Sequence, residues 1–411
     1  MRLAGAWPFA LLAAAAAIVV AALAAGAGGE GMASAQTPVA PGAIAGELPA
    51  DGGFAGVVWG GGTVDALAAV ALAAGCDVAS LWVASGGSLV RYIPDAPPFV
   101  NAPFLALYPG GAMPNTIVII VCAAPVSAAR EIAGCPLFPD DNPWAADISG
   151  YAVHPRSAAY MAAIQDSGGN QFLHADFGEN PDYGIPYVIV PAGQPGVPVS
   201  FDYADESDPG PYPIPADAPV EAGSDRHVLV VQRGACRLYE LFDAQRDAAT
   251  GGWHAGSGAV FDLRSNALRP DGWTSADAAG LPILAGLVRI DEVRAGAIRH
   301  ALRFTLSRTQ RGFIHPATHF ASAITDPDVP PMGLRLRLRA DFDLTPFHGD
   351  ALVILTALKR YGMLLADNGS NWFISGATDA GWNDDDLNQL KSVPGSAFEA
   401  VETGAVSTAL P

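Results

Sequence analysis

The sequence contains few basic residues. Lysine occurs only at Lys359 and Lys391, and 22 Lys and Arg residues stand against 41 Asp and Glu, which gives a formal net charge of −19 over 411 residues. A strongly acidic surface repels phosphate backbones, so nucleic acid is not an expected partner. The same charge argues more weakly against anionic polysaccharides and anionic membranes.

Long apolar runs are absent beyond the N-terminus. There, the uncharged run Trp7–Ala25 follows Met1-Arg2 and precedes a small-x-small site, Ala33-Ser34-Ala35. This order predicts a signal peptide over residues 1–35 and a protein that is secreted or held at the cell surface. An uncleaved anchor is the alternative, because the run is close to the length of a membrane span. After cleavage we expect no integral membrane segment.

Cysteine is scarce, with four residues at Cys76, Cys122, Cys135 and Cys236. In an exported protein an even number of cysteines usually pairs. Four cysteines allow three connectivities, and we favour Cys76–Cys122, closing a first domain, and Cys135–Cys236, tying the start of a second domain to one of its strands. No C-x-x-C motif supports the rival metal site, so neither a metal nor another cofactor is expected.

Glycine and proline, in contrast, are abundant, with 46 Gly and 34 Pro beside many short apolar runs. This composition is typical of turn-rich β structure, so the predicted fold class is mainly β. We expect a small α+β N-terminal domain and a larger β-sandwich or jelly-roll-like domain with helical insertions. The predicted parts are a linker at 36–53, a small accessory domain at 54–122, a connector at 123–134, the main domain at 135–400 and a tail at 401–411.

Local patterns predict elements in both domains. In the small domain Thr63 should cap a helix that ends at Gly75, and Gly86-Gly87 should turn a hairpin. In the large domain Leu334–Leu344 alternates apolar and charged residues, which predicts a strand with one buried and one charged face. Other predicted strands are Tyr187–Pro191, Val199–Tyr203, His227–Gln232, Arg237–Phe242, Ala259–Leu263, Ala301–Leu306, Met363–Ala366 and Trp372–Ser375. Predicted helices cover Ala351–Tyr361, ended by Gly362, and a last segment capped by Asn383.

Two parts of the chain resemble known proteins. Residues 57–122, with WGGGTVDAL and GCDVASLWV, resemble a small accessory module of exported proteins from environmental bacteria. Residues from about 136 to 400, with FPDDNPWAADISG, FLHADFG, DRHVLVV and LADNGSNWFISG, resemble a broad family of uncharacterised exported bacterial β-rich proteins. The resemblance implies a shared fold and export, and it carries over no reaction or catalytic residue.

Carboxylates in the loops of the large domain are the candidate catalytic groups. Glycoside hydrolysis needs one carboxylic acid for the leaving oxygen and one carboxylate as base or nucleophile. We assign these roles to Asp176, Asp225 and Asp277, with His227 or His300 tuning or orienting them. Asp225 and His227 are two residues apart at the head of an apolar strand, so both should point to one face.

Other polar and aromatic residues are candidates for substrate binding. They are His174, Trp273, Arg337, Asp367 and Trp372. Each has a structural alternative: aspartates cap helices and turns, and tryptophans pack in cores. The row Arg335, Arg337 and Arg339 could hold an acidic sugar, although a solvated strand face paired with neighbouring carboxylates is the more usual role.

Two further chemistries receive weak support. Asp225 and His227 could bind a metal with His174 or His319, and the acidic loops could bind calcium, but the spacing is permissive. A Ser-His-Asp triad with Ser275 lacks a G-x-S-x-G motif.

The sequence therefore predicts an exported glycoside hydrolase that acts on an extracellular polysaccharide. A non-catalytic carbohydrate-binding or cell-surface protein is the alternative, and a polysaccharide lyase is the third hypothesis. Clustering of the candidate carboxylates and histidines around one cleft would favour an enzyme, whereas scattered positions beside a flat aromatic platform would favour binding. The sequence predicts no oligomeric state.

Overall fold

The computed structural model describes residues 40, 42–46, 48, 54–74, 76, 78–85, 88–93, 101–114, 116–122, 130–248 and 251–408. The predicted signal peptide with its cleavage site, Gly75 and the turn Gly86-Gly87 lie outside the described residues. The chain is 30% strand and 19% helix, so the prediction of a mainly β protein is confirmed.

The N-terminal part forms a five-stranded antiparallel sheet with its own apolar core. Strands β1 to β7 span Ile44–Ala45, Phe54–Trp59, Gly62–Thr63, Val78–Ser85, Ser88–Tyr92, Ala112–Met113 and Thr116–Cys122, and helices α1 and α2 span Val64–Ala73 and Ala102–Leu107. The sheet order is β1-β2-β7-β4-β5, and β3 pairs with β6. Trp59, Leu67, Phe104 and Ile120 are fully buried in this core.

The predicted N-cap of α1 is confirmed. The side chain of Thr63 accepts a hydrogen bond from the backbone N–H of Ala66, at 3.2 Å. One of the otherwise unpaired amides of the first helical turn is thereby satisfied.

The larger part, from residue 130 onward, contains four sheets. Strands β8 to β22 span Glu131–Ile132, Cys135–Pro136, His174–Asp176, Tyr187–Val190, Val199–Phe201, Val228–Gln232, Arg237–Phe242, Gln245–Asp247, Gly252–Ala255, Ser257–Asp262, Leu302–Leu306, Arg335–Leu338, Met363–Asn368, Phe373–Ser375 and Phe398–Ala400. Helices α3 to α6 span Ser157–Asp166, Ile290–Arg294, Gly349–Arg360 and Asp384–Asn388. The sheet orders are β10-β21-β18-β20-β19-β22, β11-β13-β14-β17, β12-β16-β15 and β8-β9.

The four-stranded sheet is buried on both faces. On β13, Leu229 and Val231 belong to the main apolar core. Their neighbours Val228 and Val230 belong to a second cluster that also contains Trp253. Successive side chains of a strand point to opposite faces, so a strand between two apolar layers shows a continuous apolar run instead of an alternating one.

The six-stranded sheet contributes one face to the main core. Phe304, Leu365 and Ile374 are buried there, together with Leu355 of α5. Helix α5 is followed by Gly362 in the left-handed conformation, with φ of 65°. This agrees with the helix end predicted at that glycine.

The prediction of an alternating strand over Leu334–Leu344 is wrong. The strand is limited to Arg335–Leu338, and all four of its residues are buried. Arg335 donates to the backbone carbonyls of Pro143, Ala146 and Tyr361. A guanidinium offers five donors, and here they satisfy carbonyls that loops and a helix end leave without partners.

Arg337 is buried in the same way. It donates to Glu399 and to the carbonyls of Ile148, Ser149 and Tyr151. Arg339 is the one exposed member of the row, and it pairs with Asp341. The expected cationic surface stripe is therefore not formed.

Both favoured disulfides are confirmed. Cys76 is bonded to Cys122 and Cys135 to Cys236, with sequence separations of 46 and 101 residues. The second bond joins β9 to the turn between β13 and β14.

Across the described ranges, no helix is long and apolar enough to cross a membrane. The run Trp7–Ala25 is not among those ranges.

We expect the double substitution Cys135→Ala/Cys236→Ala to lower the free energy of unfolding by about 2–4 kcal/mol, because the bond closes a long loop and restricts the unfolded chain. Urea unfolding followed by fluorescence measures the change. The double variant still contains the Cys76–Cys122 bond of the N-terminal part. Reducing and alkylating that bond should leave the unfolding midpoint of the large domain unchanged. An unchanged midpoint in the double variant would contradict the prediction.

Candidate functional site

One face of the six-stranded sheet carries a row of polar side chains. Strand β10 runs parallel to β21, and Asp176 lies opposite Ser375. On the next strand, β18, Arg303 donates from Nη1 to the hydroxyl oxygen of Ser375 at 2.5 Å. Asp176, Ser375 and Arg303 are thus brought together from three adjacent strands.

A β-bulge brings Asp367 to the same face. Strand β18 pairs with β20 so that Phe304 lies opposite Leu365, but Thr305 lies opposite Asp367, and Ala366 is the extra residue. Paired residues share a face, and Arg303 shares its face with Thr305, two residues along. Without the extra residue Asp367 would point to the opposite, apolar face, so the bulge re-aims this carboxylate.

Asp277 pairs with Arg303 from a loop above the sheet. The carboxylate accepts two hydrogen bonds, from Nε at 3.1 Å and from Nη2 at 2.9 Å. Asp277 is 1% exposed and Arg303 4% exposed. Burial opposes the charge of Arg303, but the paired Asp277 outweighs this and raises the pKa of the guanidinium. The pair is a buried bidentate ion pair.

The loop that holds Asp277 is shaped by Ser275. Its hydroxyl donates to the carbonyl of Leu281 at 2.6 Å and accepts from the amide of Asp277 at 2.9 Å. Ser275 is 1% exposed. A hydroxyl engaged with backbone groups inside the protein is not placed as a nucleophile, so the structure offers nothing for the Ser275 triad.

A second buried ion pair lies beside the first. His227 Nδ1 is 2.5 Å from the carboxylate of Glu221, and Nε2 is 3.0 Å from the carbonyl oxygen of Ala276. A carboxylate and a carbonyl oxygen are both acceptors, so this pair of contacts fits the imidazolium form of His227. Burial lowers the pKa of His227, but the hydrogen bond and charge of Glu221 outweigh it and raise the pKa above the usual value.

A third carboxylate lies deeper, on β14. Glu240 is fully buried and accepts hydrogen bonds from the backbone amides of Ile283 and Leu284, both at 2.9 Å. Burial raises its pKa to about 7, and the charge of Asp277 adds to that effect. Glu240 therefore orders the segment that follows the Asp277 loop.

Asp367 and Asp176 are the more open members of this group. The Asp367 side chain is 25% exposed and its Oδ2 lies 3.7 Å from Nη2 of Arg303. Burial, followed by the charge of Asp277, raises the pKa of Asp367 to about 7. Asp176 is exposed, yet partial desolvation raises the pKa of its carboxyl against the opposing charge of Arg303.

We call these residues the Arg303 cluster. Its members are Asp176, Glu221, His227, Asp277, Arg303, Asp367 and Ser375. The cationic groups are buried and paired, while the carboxylates of Asp176 and Asp367 lie toward solvent. Carboxylates with raised pKa values that share one site are candidates for acid–base chemistry.

Asp225 lies beside the cluster and not on the face of His227. It is exposed, and its negative charge acts on Asp176. The expectation that Asp225 and His227 share a strand face is wrong, because β13 begins only at Val228. Between the two, Arg226 has a left-handed backbone with φ of 43°, which breaks the alternation.

His300 lies in a different buried group. Its Nε2 is 3.1 Å from Glu292, and its Nδ1 is 2.8 Å from the carbonyl oxygen of Ala301. Arg289 reaches the other oxygen of Glu292 at 2.9 Å. These interactions involve neither Asp277 nor Arg303, so His300 is not part of the Arg303 cluster.

Among the predicted substrate-binding residues, some lie near the Arg303 cluster and others lie elsewhere in the protein. His174 lies two residues before Asp176 and stacks on Phe373, with ring centroids 4.3 Å apart. Trp372 is 2% exposed and stacks on Phe398 in the core. Trp273 is half-buried beneath the guanidinium of Arg269, and Arg337 is buried as described above.

In the described part of the chain, no group of three His, Cys, Asp or Glu side chains is arranged to hold a metal ion. His319, offered as a third ligand, instead hydrogen-bonds through Nδ1 with the carbonyl oxygen of Ala278 at 2.7 Å.

Four residues around the site were not predicted from the sequence: Glu221, Glu240, Arg303 and Ser375. Arg303 is the single charge in ALRFTL, and Glu240 is the single charge in LYELF, which follows Arg237 at the start of its strand. A lone charge in a buried strand needs a partner, and this signal could have identified both. Glu221 and Ser375 have no comparable signal.

Comparison with family models finds no match to this chain, and searches of curated proteins and of solved structures likewise return none. The resemblance described from the sequence stays a prediction.

We expect Arg303→Met to lower the free energy of unfolding by about 3–5 kcal/mol, because Asp277 would keep a buried charge without its partner. Arg339→Met, at the exposed pair with Asp341, is the matched control and should leave the unfolding midpoint unchanged. The double variant Arg303→Met/Asp277→Leu should recover part of the loss, since no charge remains buried there. Equal midpoints for Arg303→Met and the control in urea unfolding would contradict this account.

Proposed function

We propose that this chain is an exported glycoside hydrolase, with Asp367 as general acid and Asp176 as general base. The observation that supports the proposal is the placement of these two carboxylates on one face of the six-stranded sheet, on either side of Arg303. General acid–base catalysis needs such pairs with pKa values moved toward the working pH.

Asp367 suits the role of the acid. Burial and the charge of Asp277 raise its pKa to about 7, so a large fraction is protonated near neutral pH. Its side chain is still 25% exposed, which leaves the proton accessible to a leaving-group oxygen. Asp277 is more deeply buried and binds Arg303 through both oxygens, so we assign it to tuning Asp367.

Asp176 suits the role of the base. It is exposed, and although desolvation raises the pKa of its carboxyl, the charge of Arg303 opposes that rise and favours the ionised form. In the sheet, β10 and β20 are separated by β21 and β18. Three strand spacings of about 4.8 Å place the two backbones about 14 Å apart. A retaining pair needs its carboxyl groups about 5–5.5 Å apart and an inverting pair about 6.5–9.5 Å apart, so two carboxylates on strands this far apart fit an inverting mechanism better, with both side chains extended toward each other over Arg303.

The charges around the site favour a neutral or weakly charged glycan. Asp176 and Asp225 are exposed, whereas the cations of the cluster, Arg303 and His227, are buried and already paired. An acidic sugar would meet exposed carboxylates here. A lyase acting on uronates is supported less as well. Arg337, the arginine that would bind the uronate, is engaged inside the protein.

The binding-protein alternative is supported less. Stacking on sugar rings requires exposed aromatic platforms. Trp253, Trp372 and Trp382 are 6%, 2% and 2% exposed, so they contribute to cores. We keep carbohydrate binding without cleavage as the outcome that would replace the proposed reaction.

Export and a sandwich architecture belong to this proposal. The two disulfides fit an oxidising compartment. One apolar core contains buried residues of both the six-stranded and the four-stranded sheet, as expected of two sheets packed face to face.

We expect Asp367→Asn and Asp176→Asn each to reduce kcat on a cleaved glycan at least about 100-fold, because each removes one proton-transfer group. Wild-type kcat should fall as pH rises through about 7, as Asp367 loses its proton. Release of reducing ends from a panel of neutral polysaccharides measures both effects. Asp341→Asn, an exposed carboxylate paired with Arg339, is the control and should retain activity. Full activity in either site variant would refute the assigned roles.

The proposed geometry also predicts the stereochemistry. The first product released from a β-linked glycan should be the α-anomer, and that from an α-linked glycan the β-anomer, since water attacks opposite the leaving group. Proton NMR of the anomeric signals during the first minutes of hydrolysis distinguishes the outcomes. Retention of configuration would contradict the prediction. It would require a nucleophilic carboxylate that lies closer to Asp367 than Asp176 does.

A further inference from the structure

We propose that the buried Glu221–His227 ion pair is a positioning device that holds the Asp277–Arg303 pair in place and supplies a fixed positive charge to Asp367. The part of this inference that concerns catalysis rests on the proposed function. The charge state and its effect on Asp367 do not depend on any reaction.

The first step is the charge of His227. The ring is 2% exposed, and both nitrogens face oxygen acceptors, the carboxylate of Glu221 at 2.5 Å and the carbonyl of Ala276 at 3.0 Å. A neutral ring would leave one nitrogen lone pair directed at an acceptor oxygen inside the protein. That arrangement is costly, so the geometry selects the imidazolium.

The second step is the connection to the site. Ala276, which accepts from His227, immediately precedes Asp277 in the chain. Asp277 binds Arg303 through two hydrogen bonds, and Arg303 in turn lies 3.7 Å from Asp367. His227 therefore fixes the loop on one side of Asp277, while Arg303 fixes the carboxylate on the other.

The third step is the balance of charges that face His227. Glu221 lies on the loop before it, Arg303 on β18, Asp367 on β20 and Glu240 on β14. Glu221 is the direct partner, and its own pKa is lowered because its bonds to His227 outweigh burial. The imidazolium opposes the effects of burial and of Asp277 on Asp367 and keeps the pKa of Asp367 from rising further.

Loss of the cation should therefore act in one direction. A neutral side chain at position 227 removes a positive charge near Asp367, which favours the protonated carboxyl. The pKa of Asp367 should rise, and any activity that needs its proton should extend to higher pH. A purely structural role of His227 would change stability or kcat without moving this titration.

The charge of His227 can be tested by NMR on the full chain with ¹⁵N-labelled histidine, assigned with His227→Gln. We expect His227 to be doubly protonated at pH 7, and Glu221→Gln to lower its titration midpoint by about 1–3 pH units. Glu292→Gln is the matched control, because it disrupts the other buried pair, with His300, and should leave His227 unchanged. A neutral His227 in the wild type at pH 7 would overturn the proposal.

The effect on Asp367 can be tested by ¹³C NMR of labelled aspartate carboxyls, assigned with Asp367→Asn. His227→Gln should raise the Asp367 midpoint from about 7. His227→Asn serves as the second variant if His227→Gln does not fold, and should raise the midpoint in the same way, since it also removes the cation and keeps Glu221. An unmoved Asp367 midpoint in a folded variant with a neutral residue 227 would refute the tuning role. Absence of glycan cleavage by the wild type would refute the proposed function alone, since neither titration requires a substrate.

Discussion

The guanidinium of Arg303 is almost completely removed from water, at 4% exposed. A buried charge costs several kcal/mol unless partners surround it, and here Asp277, Ser375 and Asp367 do so. These partners come from a loop and two further strands, so the requirement to satisfy one side chain specifies how those elements meet. The bulge at Ala366 belongs to the same requirement, because only the shifted register turns Asp367 toward Arg303.

A second consequence is the separation of charges within the site. The ring of His227 and the guanidinium of Arg303 lie inside the protein, each held by a carboxylate. The remaining carboxylates, Asp176 and Asp367, lie where water can reach them. Burial raises the pKa of both carboxyls, that of Asp367 to about 7, and the charge of Arg303 opposes this effect in each. Asp367 is therefore a group that can exchange its proton near neutral pH.

The rest of the large domain supplies a rigid support for this arrangement. The four-stranded sheet is buried between two apolar layers, and Glu240 extends from it to the amides of Ile283 and Leu284. Arg335 and Arg337 perform the same task elsewhere, satisfying backbone carbonyls of loops that pack against the six-stranded sheet. Buried charged side chains thus supply hydrogen-bond partners for backbone groups of these loops that regular secondary structure does not pair.

The sequence by itself determined the β-rich class, the cap at Thr63 and the helix end at Gly362, because these depend on composition and local backbone preference. It favoured the two disulfide pairings that the structure then selected from three connectivities. It also identified Asp176, His227, Asp277 and Asp367 as candidates, since ionisable groups beside apolar strands are conspicuous. Tertiary structure decided which of them meet. Strand order, a one-residue bulge and the left-handed backbone at Arg226 brought some to Arg303 and turned Asp225 and His300 away. Those features depend on pairing between segments distant in the chain, which local patterns do not encode.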